Sequence, residues 1–272
     1  MAVTNFIPSI WARSLLENLN KSLVYGQPGV INTDYQGDIA GAGSSVRINS
    51  IGRVSVSDYT ANSDMADPEV LSGAQVVLTI DQQRSFSFQI DDVDNAQTIP
   101  KLMQGAMAES AYALADDMDQ HLAGVMSTEA GLSVTATSDP YETLVDAFTA
   151  LDEANAPSTG RWAIVPPFFH GLLRKDDRFV SFGTSDNRSV LENGVIGQAA
   201  GFTVLVSNNV PEAAGVYSLT FGHPSASTHA MQVSKVEAYR MEKRFADAVK
   251  GLNVYGTKVT RPEILGTIEV TR

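Results

Sequence analysis

The chain contains no cysteine. Disulfide staples, thiolate metal sites and cysteine nucleophiles are therefore excluded, while the redox compartment stays open. No apolar run reaches the roughly 18 residues that span a bilayer. The opening MAVTNFIPSIWARSLLENL lacks the basic region and apolar core of a secretory leader, so the expectation is a soluble protein made inside a cell. Positive charge is scarce: 19 lysines and arginines face 31 aspartates and glutamates, for a formal charge of −12. Such a surface repels free DNA and anionic membranes on average, and no dense basic run with interleaved aromatics offsets it. Lysine is missing altogether between Lys21 and Lys101.

What is present is enough for a real core. At 272 residues, 43% hydrophobic and 18% charged, the chain makes one large domain or two modest ones. Ile10, Trp11, Leu15, Leu16, Leu19 and Leu23 recur at helical spacing within residues 6–25, and GQPG at 26–29 stops the pattern. This leading segment needs a surface to lie against if it is to be ordered.

From Asp34 to Ile90 the period changes to two. Val46, Ile48, Val54 and Val56 share one parity, with Arg47, Asn49, Ser55 and Ser57 between them. Val76, Leu78, Ile80, Phe86, Phe88 and Ile90 share another, interrupted by Gln82 and Arg84. A strand of that length would run roughly 50 Å, far beyond the usual 5 or 6 residues. With the turn-rich TANSDMADPEVLSGA joining its halves, the region reads as a long two-stranded ribbon that is polar in its middle and projects from the body. An isolated ribbon is marginal in water, so it calls for a partner surface.

Residues 93–126 read as the longest helix, with Met103, Met107, Ser110, Leu114, Met118, His121, Leu122 and Val125 as its apolar stripe. SDPYETLVDAFTALDEANAP is a marked helix, with Ser138 or Asp139 as cap, Pro140 at the first helical position and Asn155-Ala156-Pro157 at the end. RWAIVPP is a short buried strand and FFHGLLRKD a short helix. NGVIGQAAGFTVLVSNNVP is a glycine-punctuated turn into a strand. GVYSLTFGHPSA and MQVSKVEAYRM are further strands, and residues 242–270 mix one helical turn with final strands.

Motifs that carry chemistry are absent or fail. Asp91, Asp92 and Asp94 end the apolar strand FSFQI, but a calcium loop started at Asp92 meets Ala96 at position 5 and Gln97 where glycine is required. Acids at a helix start favour the dipole and cap free N–H groups. There is no G-x-S-x-G elbow, and neither GDIAGAGSS nor GTK at 256–258 has phosphate-loop spacing. Gly194, Gly197 and Gly201 fit a tight turn with close backbone packing. His121, His170, His223 and His229 show no metal spacing, and His121 fits a buried, satisfied histidine. Asp116, Asp117 and Asp119 read as a solvated helix face. Scattered carboxylates leave a hydrolase open without selecting a pair. No residue is assigned as catalytic, cofactor-binding or metal-binding.

Several stretches together resemble tailed-bacteriophage major capsid proteins: NFIPSIWARSLLENLNKSLVYG, YQGDI…GSSVRINSIGRVSVSDYT, SFSFQIDDVDNAQT, AYALADDMDQHLA, NGVIGQAAGFTVLVSNNVP and RFADAVKGLNVYGTKVTRPEIL. The resemblance implies an α+β chain with the phage capsid fold shared with encapsulin shells. It divides the chain into an N-terminal arm (1–35), an extended β-hairpin loop (36–92), a peripheral domain with a long spine helix (93–135 and 232–272) and an axial domain (136–231). It implies no enzyme and no cofactor. The expected role is a structural major capsid protein of the virion, assembled in the bacterial host cytoplasm as pentamers and hexamers of an icosahedral head. The head encloses double-stranded DNA without binding it specifically. Expected partners are many further copies, a scaffolding protein and a portal, with room for a decoration protein and no membrane.

Some relatives cross-link lysine to asparagine from the extended loop; without a lysine there, the shell is expected to be non-covalent. The arm-like sequence begins within a few residues of Met1, so the scaffolding protein is expected to be separate. On this reading Asp91, Asp92 and Asp94 hinge and cap the joint between ribbon and spine. An encapsulin-type compartment with a cargo groove and, more remotely, a carboxylate hydrolase are the alternatives.

Overall fold

The structure is a computed structural model and describes residues 23–35, 45–51, 73–91, 102–176, 197–242 and 245–272. Strands β1 (Ser45–Ile51) and β2 (Gly73–Thr79) pair antiparallel, from Ser45 opposite Thr79 to Ile51 opposite Gly73. The expected single long strand then divides. Ile80 and Asp81 break it, and β3 (Gln82–Asp91) pairs with a different strand in a different sheet. The break follows burial: Leu78 and Ile80 are fully covered, which anchors the chain at the point where it passes between sheets.

The long helix α1 spans Leu102–Thr128. Its buried side is broader than the expected stripe, comprising Met107, Ala111, Leu114, Ala115, Met118, Asp119, Leu122, Ala123 and Met126. Short strand β4 (Leu132–Thr135) leads to α2 (Pro140–Glu153). Asp139 is the cap, accepting from the N–H groups of Tyr141 and Glu142, and Pro140 follows at the first position as its fixed φ favours. Beyond α2, Asn155 takes a positive φ of 56° and turns the chain into β5 (Trp162–Val165), which is buried throughout. Then come α3 (Pro167–Lys175), β6 (Gln198–Ala199), β7 (Phe202–Val206), β8 (Glu212–Ala213) and β9 (Val216–Gly222). Two fourteen-residue strands, β10 (Ser227–Arg240) and β11 (Ala246–Val259), form a long hairpin. The expected helical turn is a 3-10 turn at Pro262–Ile264, and β12 (Leu265–Thr271) ends the chain.

The larger sheet runs β4-β12-β9-β5-β7-β6, with β8 paired beside β9; the smaller runs β10-β11-β3. The final strand β12 lies between β4 and β9, although the sequence reading grouped 232–272 with the helix-bearing region. Helix α1 touches strands of both sheets, namely β3, β11, β9 and β12, and so staples them together. In each sheet a glycine faces a phenylalanine across one strand pair, Gly251 opposite Phe86 and Gly266 opposite Phe221. A Cβ on either glycine would meet the ring, so the missing side chain is the space the ring occupies.

Residues 23–35, which the resemblance placed in the N-terminal arm, are built into the body. Leu23, Tyr25, Val30 and Ile31 are buried in the main core, and Asn32 bridges to Thr228 at the start of β10.

Arg161 is the buried cation of the fold. Its guanidinium donates to the carbonyls of Phe148, Ala156 and Pro157 and to Asp152, the last at 2.7 Å, and lies 4.2 Å over the Phe148 ring. It thus satisfies carbonyls around the C-terminal end of α2, where positive charge also suits the helix dipole.

Candidate functional site

Two joints hold the outlying segments to the body. The first is the root of the β1–β2 ribbon. Val46, Ile48, Leu78 and Ile80, all of one parity, form a small apolar cluster with Ala230 of β10 and Val254 of β11; Tyr35, Val76 and Leu252 edge it. At Gly256 a Cβ would strike the Thr79 carbonyl oxygen and would lie 3.0 Å from the Ile80 Cα. Only glycine lets the ribbon backbone lie directly on β11 there. The opposite parity points outward, as at Val77, which is 44% exposed.

The second joint overturns the reading of Asp116, Asp117 and Asp119 as a solvated face. At about 100° per residue three nearby acids fan around a helix and reach three neighbours. Asp119 is buried and accepts from the backbone N–H groups of Val24 and Tyr25 at 3.0 Å and Gly26 at 3.4 Å. Burial pushes its pKa up to about 6, against the downward pull of those three donors. Asp117 takes the Arg84 guanidinium at 2.8 Å and the Tyr255 hydroxyl at 3.3 Å. Asp116 accepts from Asn209 at 2.8 Å and Gln120 at 2.9 Å. Arg84 is not in the middle of a projecting ribbon; it belongs to β3 of the smaller sheet and, while exposed, pairs with α1. A sequence signal for Asp119 existed: it lies four residues after Ala115 and three before Leu122, inside the apolar stripe.

Asp116 and Asp119 line one concavity with Val24, Tyr112, Ala115 and residues 206–209. Both carboxylates hold structural donors, so the chemistry on display is fastening. Tyr25 carries its hydroxyl into the core toward Thr220, and burial raises its pKa.

The histidines are dispersed. His121 and His229 pack on Tyr255, with ring centroids 5.5 and 6.0 Å away. His229 is buried, shares a hydrogen bond of 3.1 Å with the Thr257 hydroxyl, and is driven by desolvation down to about 4. His121 is only partly buried. His170 sits on α3. His223 caps the 3-10 turn Pro224–Ala226 by accepting from the Ser225 N–H. Among the described residues no group of three or more His, Asp or Glu could hold a metal ion. Asp91 is the last residue of β3; Asp92 and Asp94, with the proposed hinge and cap, lie outside the described residues, as does Gly194. Gly201 makes the expected tight turn, with φ of 83° after Ala200 at 48°, against the Phe148 ring.

The family model described as phage capsid protein matches residues 73–265. No curated protein matches the chain in sequence. Among solved structures, a chain of Mycobacterium phage Che8 is 28% identical with a TM-score of 0.74, over 90% of this chain and 90% of that one. The capsid structure of the cyanophage P-SCSP1u is 17% identical with a TM-score of 0.72, over 90% of this chain and 87% of that one. A virus-like particle from Pyrococcus furiosus shares the fold more loosely: it is 16% identical with a TM-score of 0.56, over 96% of this chain and 98% of that one. A body stapled by one long helix, a ribbon anchored at its root, and these matches agree: the chain belongs to the phage capsid protein family and is a major capsid structural protein with the phage capsid fold.

Proposed function

We propose that the chain forms pentamers and hexamers of an icosahedral bacteriophage head, in which the β1–β2 ribbon straps each subunit to a neighbour. The observation that supports this most directly is the ribbon's small root: six buried residues form it, and among the described residues its outward positions 45, 47, 75, 77 and 79 are exposed. The strap is non-covalent, since no lysine lies between Lys21 and Lys101. The acidic chain encloses double-stranded DNA without binding it tightly. Assembly draws on a scaffolding protein and a portal in the host cytoplasm, a decoration protein can add to the outer face, and the subunit performs no catalysis. The division into arm (1–35), extended loop (36–92), peripheral domain (93–135 and 232–272) and axial domain (136–231) is kept with three adjustments. Residues 23–35 and 82–91 are grouped with the body, which they help to build, and 265–271 with the larger sheet.

Sedimentation and negative-stain microscopy of the expressed full chain, alone and with its scaffolding partner, test the proposal. Shells or capsomers are expected, and their bands should run as monomer on a boiled denaturing gel. A stable monomer under all these conditions overturns it. The likeness to the Pyrococcus furiosus particle keeps a cargo compartment as the second reading, and shells that load enzyme rather than DNA would select it.

A further inference from the structure

Helices α2 and α3 touch each other, and α2 packs on β4 and β12 of the larger sheet. Their inner residues Leu144, Ala147, Leu151, Phe169 and Leu173 are buried. What each presents outward differs in sign. On α2, Glu142, Val145, Asp146 and Thr149 share one exposed stripe at helical spacing, and the helix has no lysine or arginine. Tyr141, Glu142, Val145 and Asp146 shape a shallow concavity there, with Val145 39% exposed at its centre. On α3, Leu172 is 44% exposed, and Arg174 and Lys175 follow it in the last turn. Among the described residues from 136 to 231 the only other lysine or arginine is Arg161, which is buried. The exposed side of α2 is therefore an apolar spot with an acidic rim, and that of α3 is an apolar residue with Lys175 one turn on beside it and Arg174 at the far edge, about 200° round the helix from Leu172.

Unlike patches on one chain, when they fit each other, make a head-to-tail contact that closes into a ring. We infer that the Leu172–Arg174–Lys175 face of α3 docks on the Glu142–Val145–Asp146 face of α2 in a second copy of this chain, repeating between subunits the α2–α3 adjacency within each. This rests on the reading of the chain as a ring-forming shell subunit and specifies which surfaces meet. Charge complementarity selects the partner: an acidic α2 repels another α2, and the basic end of α3 repels another α3, so only the unlike pairing is favoured.

The test uses the full chain under conditions where the wild type assembles. Glu142→Lys with Asp146→Lys is one variant, and Arg174→Glu with Lys175→Glu the other. All four positions are exposed, so circular dichroism should match the wild type, and the loss of favourable end-of-helix charges should lower melting by only about a few degrees. Each variant alone should raise the critical concentration for assembly by at least about tenfold, equivalent to ~1.4 kcal/mol. Combining all four substitutions in one chain should bring it back to within about threefold of the wild type. Mixing the two double variants should restore six-fold rings but not five-fold ones, because like-charged copies can only alternate. The inference is overturned if either double variant assembles as the wild type does, if the fourfold variant fares no better than the doubles, or if the mixture closes five-fold rings or none. A wild type that never assembles would instead remove the shell reading itself.

Discussion

The two apolar clusters of this subunit differ in what they can do alone. The main core draws on α1, α2, α3, both larger sheets and residues 23–31, and is closed by buried polar devices such as Arg161 and Asp119. The cluster under the ribbon has six buried members and a backbone contact that depends on Gly256. The first joins most of the elements of the subunit into one body. The second fixes only where the ribbon leaves that body, with far less burial behind it.

The comparison breaks most visibly if the body is attacked. Arg161→Met leaves three carbonyls and Asp152 without their donor, at a cost of about 3 kcal/mol. A chain of this size should then melt ~6–12 °C lower, with assembly falling in step. Leu78→Ala should separate the two regions: a loss of about 2–3 kcal/mol is confined to the ribbon root. Shell formation should drop sharply in sedimentation while the subunit's melting temperature stays within ~2 °C of the wild type. Equal loss of melting temperature in both variants would show the ribbon to be part of the body. Gly256→Ala acts at the same root and should appear first as faster hydrogen exchange in β1 and β2, at about 1–3 kcal/mol.

Acid sharpens the contrast between two polar groups of the body. His229 has a folded pKa near 4 against a usual 6.5, so the unfolded chain binds its proton first and stability is lost as pH falls from 6.5 toward 4. Asp119 has a folded pKa near 6 against 3.8, so the folded chain binds its proton first and stability is gained as pH falls from 6 toward 3.8. The two contributions oppose each other over most of that window. Melting temperature against pH should therefore be steeper than wild type in Asp119→Asn and flatter, or reversed, in His229→Gln. Identical slopes in all three proteins would refute the assignment. The smallest effect is expected from Arg84→Ala, since the Arg84–Asp117 pair is nearly half exposed on both sides; of all these variants it should shift the same melts least.

Period and caps made much of the fold legible. Asp139-Pro140 marked α2, the uniformly apolar RWAIV marked β5, and the glycines of 197–201 marked the β6–β7 turn. The run from Val76 to Ile90 was legible as strand, but not as two strands. Parity is unchanged across Ile80–Asp81, and only the partner changes, which no local pattern reports. Asp119 was misread because an acid in a row of acids looks solvated; its partners are backbone N–H groups some 95 residues away in sequence. Residues 23–35 were misread for the same reason, since their cover comes from α1 and β10. The pairing of β1 with β2 was legible, because both segments alternate and the turn-rich stretch between them brings them back together.

The glycine–phenylalanine pairs carry a consequence for how this sequence can change over time. At 86 and 251, and again at 221 and 266, one residue's bulk occupies the volume the other lacks. A methyl group gained at either glycine must be matched by a smaller ring partner in the same lineage, or a strand has to shift. Each pair therefore drifts as a unit, and substitutions at 86 and 251, or at 221 and 266, are expected to arrive together in relatives that keep these sheets.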